Sequence, residues 1–389
     1  MGKGYLSAFR ANCQTPSRLN GSAQPGLRAA KFGVFLIAVS FFFGDPTIAY
    51  PFHGGTFEEC KGCHDHHKSL DPTSTCLMCH GYSDKNRSFC LKCHQTNLDA
   101  VIARTPIIFS GDGSSMTPGG DFYWLTKDFS WKDERGSNIK SPGYKHGHSV
   151  NSEKFDLSFD LEFPEAPGGR YPAANLSCIS CHDKHEAKGR NFRLLGSTSY
   201  NGGLSDFSFI NEAPVAAADP LNSYEDRETS HVAYGSGMSE WCKNCHSTAI
   251  TKGHSHPAGA TAKMKECSGK YNAYLSSSKS AGSGETAYLF LVPFETGVKE
   301  APLLDPRSTA GPDPGANVMC LSCHRAHASA FRGISRWDFD AHFLSMSHPA
   351  EGDTDVTHSD VVHSYYGLDL AAKFGTSQRS LCNKCHKKD

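Results

Sequence analysis

The sequence has no long apolar run beyond Phe43. That absence excludes a membrane-spanning helix in the rest of the chain, since one needs about 20 apolar residues. It also has no charge excess of either sign. The formal net charge is -1 over 389 residues. Nucleic acid is therefore not an expected partner, because such binders carry a basic patch or a high pI. Sustained hydrophobic periodicity is missing as well. Neither period-2 nor period-3.6 patterning extends over a long span, which leaves room only for short helices and few strands. Gly and Pro, at 37 and 20 residues, break the chain into turns.

Residues 1–49 read as an export signal. Arg10, Arg18, Arg28 and Lys31 make a positive n-region, "FGVFLIAVSFFF" from Phe32 to Phe43 an apolar centre, and Thr47-Ile48-Ala49 a small-residue cleavage site. The apolar run is shorter than a spanning helix, so cleavage is favoured over retention as an anchor. Cys13 precedes the run, has no lipobox around it, and leaves with the signal. The mature chain is then 50–389, about 340 residues, exported through the periplasm and without a transmembrane segment. It shows no convincing linker and reads as one elongated domain.

Against these absences stand 16 cysteines and 21 histidines. The pattern Cys-x-x-Cys-His occurs seven times, at Cys60–His64, Cys76–His80, Cys90–His94, Cys178–His182, Cys242–His246, Cys320–His324 and Cys382–His386. Chance would supply about 0.04 copies from this composition, and the pattern is that of covalent c-type haem attachment. Disulfides would not require a histidine after every second cysteine, and seven five-residue units without paired spacing fit zinc poorly. On a helical turn, residues three and four apart share a face. The thiols of Cys60 and Cys63, Cys76 and Cys79, Cys90 and Cys93, Cys178 and Cys181, Cys242 and Cys245, Cys320 and Cys323, and Cys382 and Cys385 can each bond one porphyrin. The next residue, His64, His80, His94, His182, His246, His324 or His386, supplies the proximal iron ligand. Seven c-type haems are expected. Cys267 is the one mature cysteine left over and reads as an inert thiol.

Removing seven proximal ligands from 21 histidines leaves 14, enough for a second histidine on every iron. Methionine is scarce, and no lysine variant of the motif occurs. Two nitrogen ligands close an iron to substrates, which favours electron transfer over catalysis, with no catalytic residue. Three runs add a histidine three residues after the proximal one: His67, His185 and His327. Three residues span at most about 10 Å, too little to wrap around a porphyrin edge. Each of these histidines therefore serves a different haem from its neighbour's, as a clamp between adjacent groups. His66 is left as a surface residue.

The first three motifs lie within 35 residues, so their haems form a tight cluster. Beyond them, "SGDGSSMTPGGDF", "FPEAPGGRYPAANL", "SSSKSAGSG" and "LLDPRSTAGPDPGANV" are Gly/Pro-rich loops. The expected fold is mostly irregular, with short α-helices near the motifs and near Val361–Phe374, packed around a chain of haems that supplies the apolar core.

Several stretches contain more than the attachment motif: "FHGGTFEECKGCH", "MTPGGDFYW", "APGGRYPAANLSCISCHDKH", "VAYGSGMSEWCKNCH", "HPAGA", "MCLSCHRAHAS" and "LCNKCHKKD". In these the mature chain resembles, over nearly its whole length, the filament-forming outer-surface multihaem c-type cytochromes of the OmcS type. The resemblance implies a continuous haem stack within a homopolymer at the cell surface or outside it, supplied by upstream outer-membrane cytochromes and discharging to extracellular acceptors. It implies that His67 ligates a haem of the adjacent subunit, the one at Cys320–His324. It further implies distal ligands at His53, His148, His185, His256 and His327. The family pattern has six motifs, and Cys76–His80 is the addition. Candidates for its distal ligand are His66, His146, His231, His254, His342, His348, His358 and His363, with His363 preferred, then His358 and His66. Two other readings remain: a discrete periplasmic or surface electron shuttle, and a multihaem reductase, which needs one iron with an open site.

Overall fold

The computed structural model describes residues 89–92, 94–96, 106–152, 155–157, 159–183, 191–222, 224–249 and 256–386. The export signal 1–49, His53, His66, His67, His185, His254, Cys93, and the turns Cys60–His64 and Cys76–His80, lie outside the described residues.

Regular structure is short and local. Strand β1, Phe129–Lys132, pairs antiparallel with β2, Asn138–Ser141, placing Phe129 opposite Ser141. Asp133 closes the turn between them by accepting the N–H groups of Arg135 and Ser137, with Gly136 at φ 78°. Strand β3, Val215–Ala218, pairs antiparallel with β4, Val232–Ser236. The N–H groups of Thr296 and Gly297 donate to the Tyr234 and Gly235 carbonyls, which lays a further length of chain along β4. Four α-helices occur among the described residues: α1, Met238–Cys242; α2, Glu266–Ala273; α3, His358–Ser364; and α4, Leu370–Phe374. The last two start where short side chains cap them. Thr357 accepts the Asp360 N–H, and Asp369 accepts the Ala372 N–H. They fall in the region where the sequence placed short helices.

The protein chain makes more of its own core than its lack of periodicity implied. Trp124, Trp337 and Tyr271 are at most 1% exposed. The run Ala287–Phe294, "AYLFLVPF", is buried without a break, although it is neither helix nor strand. Buried backbone groups must be paired, and here side chains from elsewhere pair them. The Tyr271 hydroxyl donates to Val292 O at 2.8 Å and accepts the Leu289 N–H at 3.1 Å. Arg336 Nη1 donates to Phe290 O at 2.8 Å, and Ser322 Oγ to Pro293 O at 2.6 Å. Because the partners are single side chains, no regular ladder forms and no period is visible in the sequence.

Arg336 also ties this core to a haem-attachment turn. Its Nε donates to Leu321 O at 2.7 Å and His324 O at 3.0 Å. Asp226 balances it at 3.1 Å and holds Arg325 at 3.2 Å, all three side chains being buried. The Arg325 guanidinium lies over the Tyr366 ring, 3.7 Å from its centre. Among the described residues no helix is long and apolar enough to cross a membrane.

Tyr271→Phe strands a buried carbonyl and a buried N–H in the Ala287–Phe294 run. Loss of about 1–3 kcal/mol is expected, read as a lower urea midpoint by far-UV circular dichroism. An unchanged midpoint would mean that the run is held by other contacts.

Candidate haem-binding site

Five attachment motifs fall wholly or partly within the described residues, and all five fold alike. The N–H of His94, His182, His246, His324 or His386 donates to the carbonyl of the first cysteine of its motif at 2.9–3.0 Å. Each motif is thus one closed helical turn, and in the four that are wholly described both cysteines and the histidine lie on one side. Serines tighten three of these turns. Ser180 Oγ accepts the Ser177 N–H at 3.0 Å, Ser322 Oγ the Met319 N–H at 3.1 Å, and Ser380 Oγ the Cys382 N–H at 3.4 Å.

The rings are then aimed from behind. Nδ1 of His94 donates to Pro106 O, of His182 to Arg193 O, of His246 to Pro167 O and of His324 to Gly333 O, each at 2.9 Å. Two histidines outside the motifs share the arrangement: Nδ1 of His148 donates to Ala326 O at 2.7 Å, and that of His256 to Pro257 O at 2.8 Å. A backbone carbonyl on Nδ1 fixes the proton there and presents Nε2 as the metal-binding nitrogen.

These rings meet in pairs from distant parts of the chain. His182 and His327 have centroids 6.3 Å apart, His148 and His246 6.0 Å, and His256 and His386 5.8 Å. In the last pair the two Nε2 atoms face each other at 3.5 Å. Two metal–nitrogen bonds of about 2 Å each, with half an imidazole at either end, need ring centroids about 6 Å apart. All three pairs have ring spacings near that value, and the Nε2 atoms of His256 and His386 would have to part to about 4 Å to admit an iron. Each joins a proximal ligand to a histidine expected as distal, and His327 is paired with His182, not with the His324 three residues before it.

Burial prepares the ligands electrically. It pushes His148 down to about 4 and His327 down to about 3, and lowers His182 and His324. The neutral imidazole is the form that binds metal. The thiols respond in the opposite sense: burial raises Cys181 to about 11 and Cys245, Cys323 and Cys385 to about 12. Thiols that keep their protons are poor zinc ligands, since zinc takes thiolates. No group of three or more metal-ligating side chains occurs among the described residues, and the ten described cysteines form no disulfide. Cys90 is hydrogen-bonded to Cys178, and Cys242 to Cys320, so the attachment turns lie side by side. Paired imidazoles beside half-buried cysteines fit haem, which supplies reversible one-electron exchange at iron when bound.

His327 is set with particular care. It stacks on Phe122, with centroids 4.9 Å apart, and its N–H donates to Gly119 O at 2.6 Å. A Cβ on Gly119 would lie 2.8 Å from His327 Nδ1. The His148 N–H donates to His327 O at 2.8 Å, so two distal candidates aimed at different haems are bonded through their backbones. Sequence reading missed Gly119, Phe122, Arg336 and the carbonyl acceptors, although Gly119 and Phe122 stand in the quoted "MTPGGDFYW".

The other histidines are placed differently. His146 uses both nitrogens, on Trp124 O at 2.9 Å and Ser141 Oγ at 2.8 Å. His231 stacks on Tyr288 and places Nε2 on Ser308 O at 3.0 Å. Both are built into the core and are removed as candidates for the added haem. His348 stacks on Trp131 and pairs with Asp353, His358 pairs with Glu351, and His342 is exposed beside Phe343. His363 is half-buried on α3, with Nδ1 on Ser359 Oγ at 3.0 Å; the turn it was assigned to lies outside the described residues. Cys267 is half-buried on α2, near enough for its charge to act on Cys385.

Closed Cys-x-x-Cys-His turns, imidazole pairs spaced for iron and a mostly irregular fold define a multihaem c-type cytochrome. No protein-family model matches the chain. It is 34% identical to the C-type cytochrome OmcS of Geobacter sulfurreducens over 422 aligned residues, covering 88% of this chain and 95% of that protein. Its structure is similar to the cryo-EM structure of the OmcS nanowires from Geobacter sulfurreducens, with a TM-score of 0.66 and 34% identity, covering 78% of this chain and 89% of that one. It is likewise similar to the Outer Membrane Cytochrome S filament of the same organism, with a TM-score of 0.66 and 32% identity at the same coverage. The chain belongs to the OmcS family of c-type cytochromes.

The His182–His327 pair generates a test. Gly119→Ala should push the His327 ring off its axis, and the ferric spin-resonance spectrum should gain a high-spin signal of up to one haem per chain. A wholly low-spin spectrum would show that the ring is not held from that side.

Proposed function

We propose that this chain is an extracellular electron conduit, a subunit of a cytochrome homopolymer with seven bis-histidine c-type haems. The observation that carries the reading is the set of three histidine pairs at iron-spanning distance. An iron with both axial positions filled passes electrons and offers no site for substrate. The protein side chains hold, orient and tune; none breaks a bond. Residues 1–49 direct export and 50–389 form the single mature domain at the outer surface, between outer-membrane cytochromes upstream and acceptors outside the cell.

Polymerisation rests on His67. Among the described residues the ring neighbour of His324 is Phe339, edge-on at 6.1 Å and half exposed, whereas three other proximal histidines face a second imidazole. That placement at the surface supports a distal ligand arriving from another subunit, and His67 of an adjacent copy fits the role. His53 and His185 complete the remaining sites of the family pattern, and His363 serves the haem at Cys76–His80. A discrete shuttle would use the same haems without the His67 junction. A reductase would leave one iron open.

Mass spectrometry of the mature protein should show seven attached haems, and its ferric spectrum should be wholly low-spin. Six haems would mean that Cys76–His80 is unused, and a stoichiometric high-spin component would revive the reductase. His67→Ala should leave the subunit folded and fully loaded, yet give short or absent filaments by negative-stain microscopy and one new high-spin haem per chain. Normal, wholly low-spin filaments from this variant would refute the junction.

A further inference from the structure

A buried carboxylate that no haem ligation uses lies where two attachment turns meet. Glu295 directly follows the Ala287–Phe294 run and is 1% exposed. Its backbone is held on both sides by Asn317: the Glu295 N–H donates to Asn317 O at 3.1 Å, and the Asn317 N–H to Glu295 O at 2.8 Å. Its Oε1 accepts the Met238 N–H at 2.7 Å. Met238 opens α1, the helix that ends at Cys242. Asn317 leads into Cys320, whose N–H donates to Ser239 Oγ on α1 at 3.0 Å. Cys242 and Cys320 are themselves in contact, and the Glu295 charge acts on Cys320.

The surroundings are short of hydrogen. Glu295 Oε2, Glu240 Oε2 and Asn317 Oδ1 are all buried with no hydrogen bond of their own, while the Asn317 side chain lies close enough to Glu295 to favour its ionised form. These are three acceptors in one place, each costly to leave unpaired. A proton on Glu295 supplies the missing donor. Glu240 lies nearby. Its Oε1 accepts the Ala260 N–H at 3.0 Å and stands 3.7 Å from Lys243 Nζ, with about a third of the side chain exposed. Its charge acts on Glu295, so the two carboxyls are neighbours. The charged groups facing Glu295 are Glu240 on α1, which opposes its ionisation, and Lys263, which favours it; Lys243 and Cys320 complete the titratable set. Burial is the largest influence, and it raises the Glu295 carboxyl to about 7, where small changes in nearby charge alter its protonation.

We propose that Glu295 is a redox-linked proton site: it takes up one proton when an electron enters the haem at Cys320–His324 or at Cys242–His246, and releases it when the electron moves on. This deepens the electron-transfer reading above and rests on it. The balance would be one electron delivered to the haem that one of these turns would hold and one proton from solvent, forming an O–H bond on the Glu295 carboxylate. The added negative charge is cancelled where the dielectric is low and charge is costly.

The test is a spectroelectrochemical titration of the full-chain holoprotein between pH 5.5 and 8.5, with reduced-minus-oxidised infrared spectra. In the wild type, one or two haem potentials should fall as pH rises through about 7, by up to 59 mV per unit, the one-electron equivalent of a tenfold change in proton activity. Reduction should also add a protonated-carboxyl band. Glu295→Gln should remove both the slope of that component and the band. Glu295→Asp keeps a carboxyl, so it should keep both at a displaced pH, which guards against a mere packing defect. Potentials independent of pH between 6 and 8 in the wild type, or the same slope and band in Glu295→Gln, would overturn the proposal. Haems that exchange no electrons with the electrode or its mediators would instead overturn the conduction reading beneath it.

Discussion

Imidazoles brought face to face in pairs from far-apart points in the chain are the constraint on which the rest of this structure depends. His256 and His386 are 130 residues apart, and His182 and His327 are joined across a comparable stretch. Each such pairing closes a long loop, and closing long loops restricts the unfolded chain most strongly. A sequence with short elements and many turns can therefore adopt one structure without extended sheets or helices. The same pairings bring the Cys-x-x-Cys-His turns together, because His327 faces His182 of another turn while its own turn carries His324.

The protein side chains answer that constraint at close range. Carbonyls behind six rings set the tautomer, burial keeps the imidazoles neutral, and Gly119 leaves space for His327 against Phe122. Arg336 couples the turn at His324 to the buried Ala287–Phe294 run, and Asp226 makes its burial tolerable by pairing it. Cofactor geometry and protein core are thus one network. Glu295 lies at a joint of that network, between α1 and the Cys320 turn, and its charge acts on Cys320.

The attachment turns were legible because their chemistry is local. Cys-x-x-Cys-His closes within a single helical turn, and the bond from His N–H to Cys carbonyl recurs in all five described copies. Sparse regular structure was legible too, from the absence of periodicity, and so were the short helices near Val361–Phe374. The buried run Ala287–Phe294 was not singled out in the sequence, since its hydrogen-bond partners, Tyr271, Ser322 and Arg336, come from other parts of the chain.

What the sequence by itself determined was where the Cys-x-x-Cys-His motifs stand, and that histidines are numerous enough for a second one at each. The assignment of histidines to irons was decided by the tertiary structure. His146 and His148 are two residues apart and chemically identical, yet one is stitched to Trp124 O and Ser141 Oγ in the core while the other faces His246. Composition cannot separate them, because the difference lies in which carbonyl each Nδ1 meets and what stands before each Nε2. Those partners come from residues distant in sequence, and only the folded chain brings them within hydrogen-bonding distance.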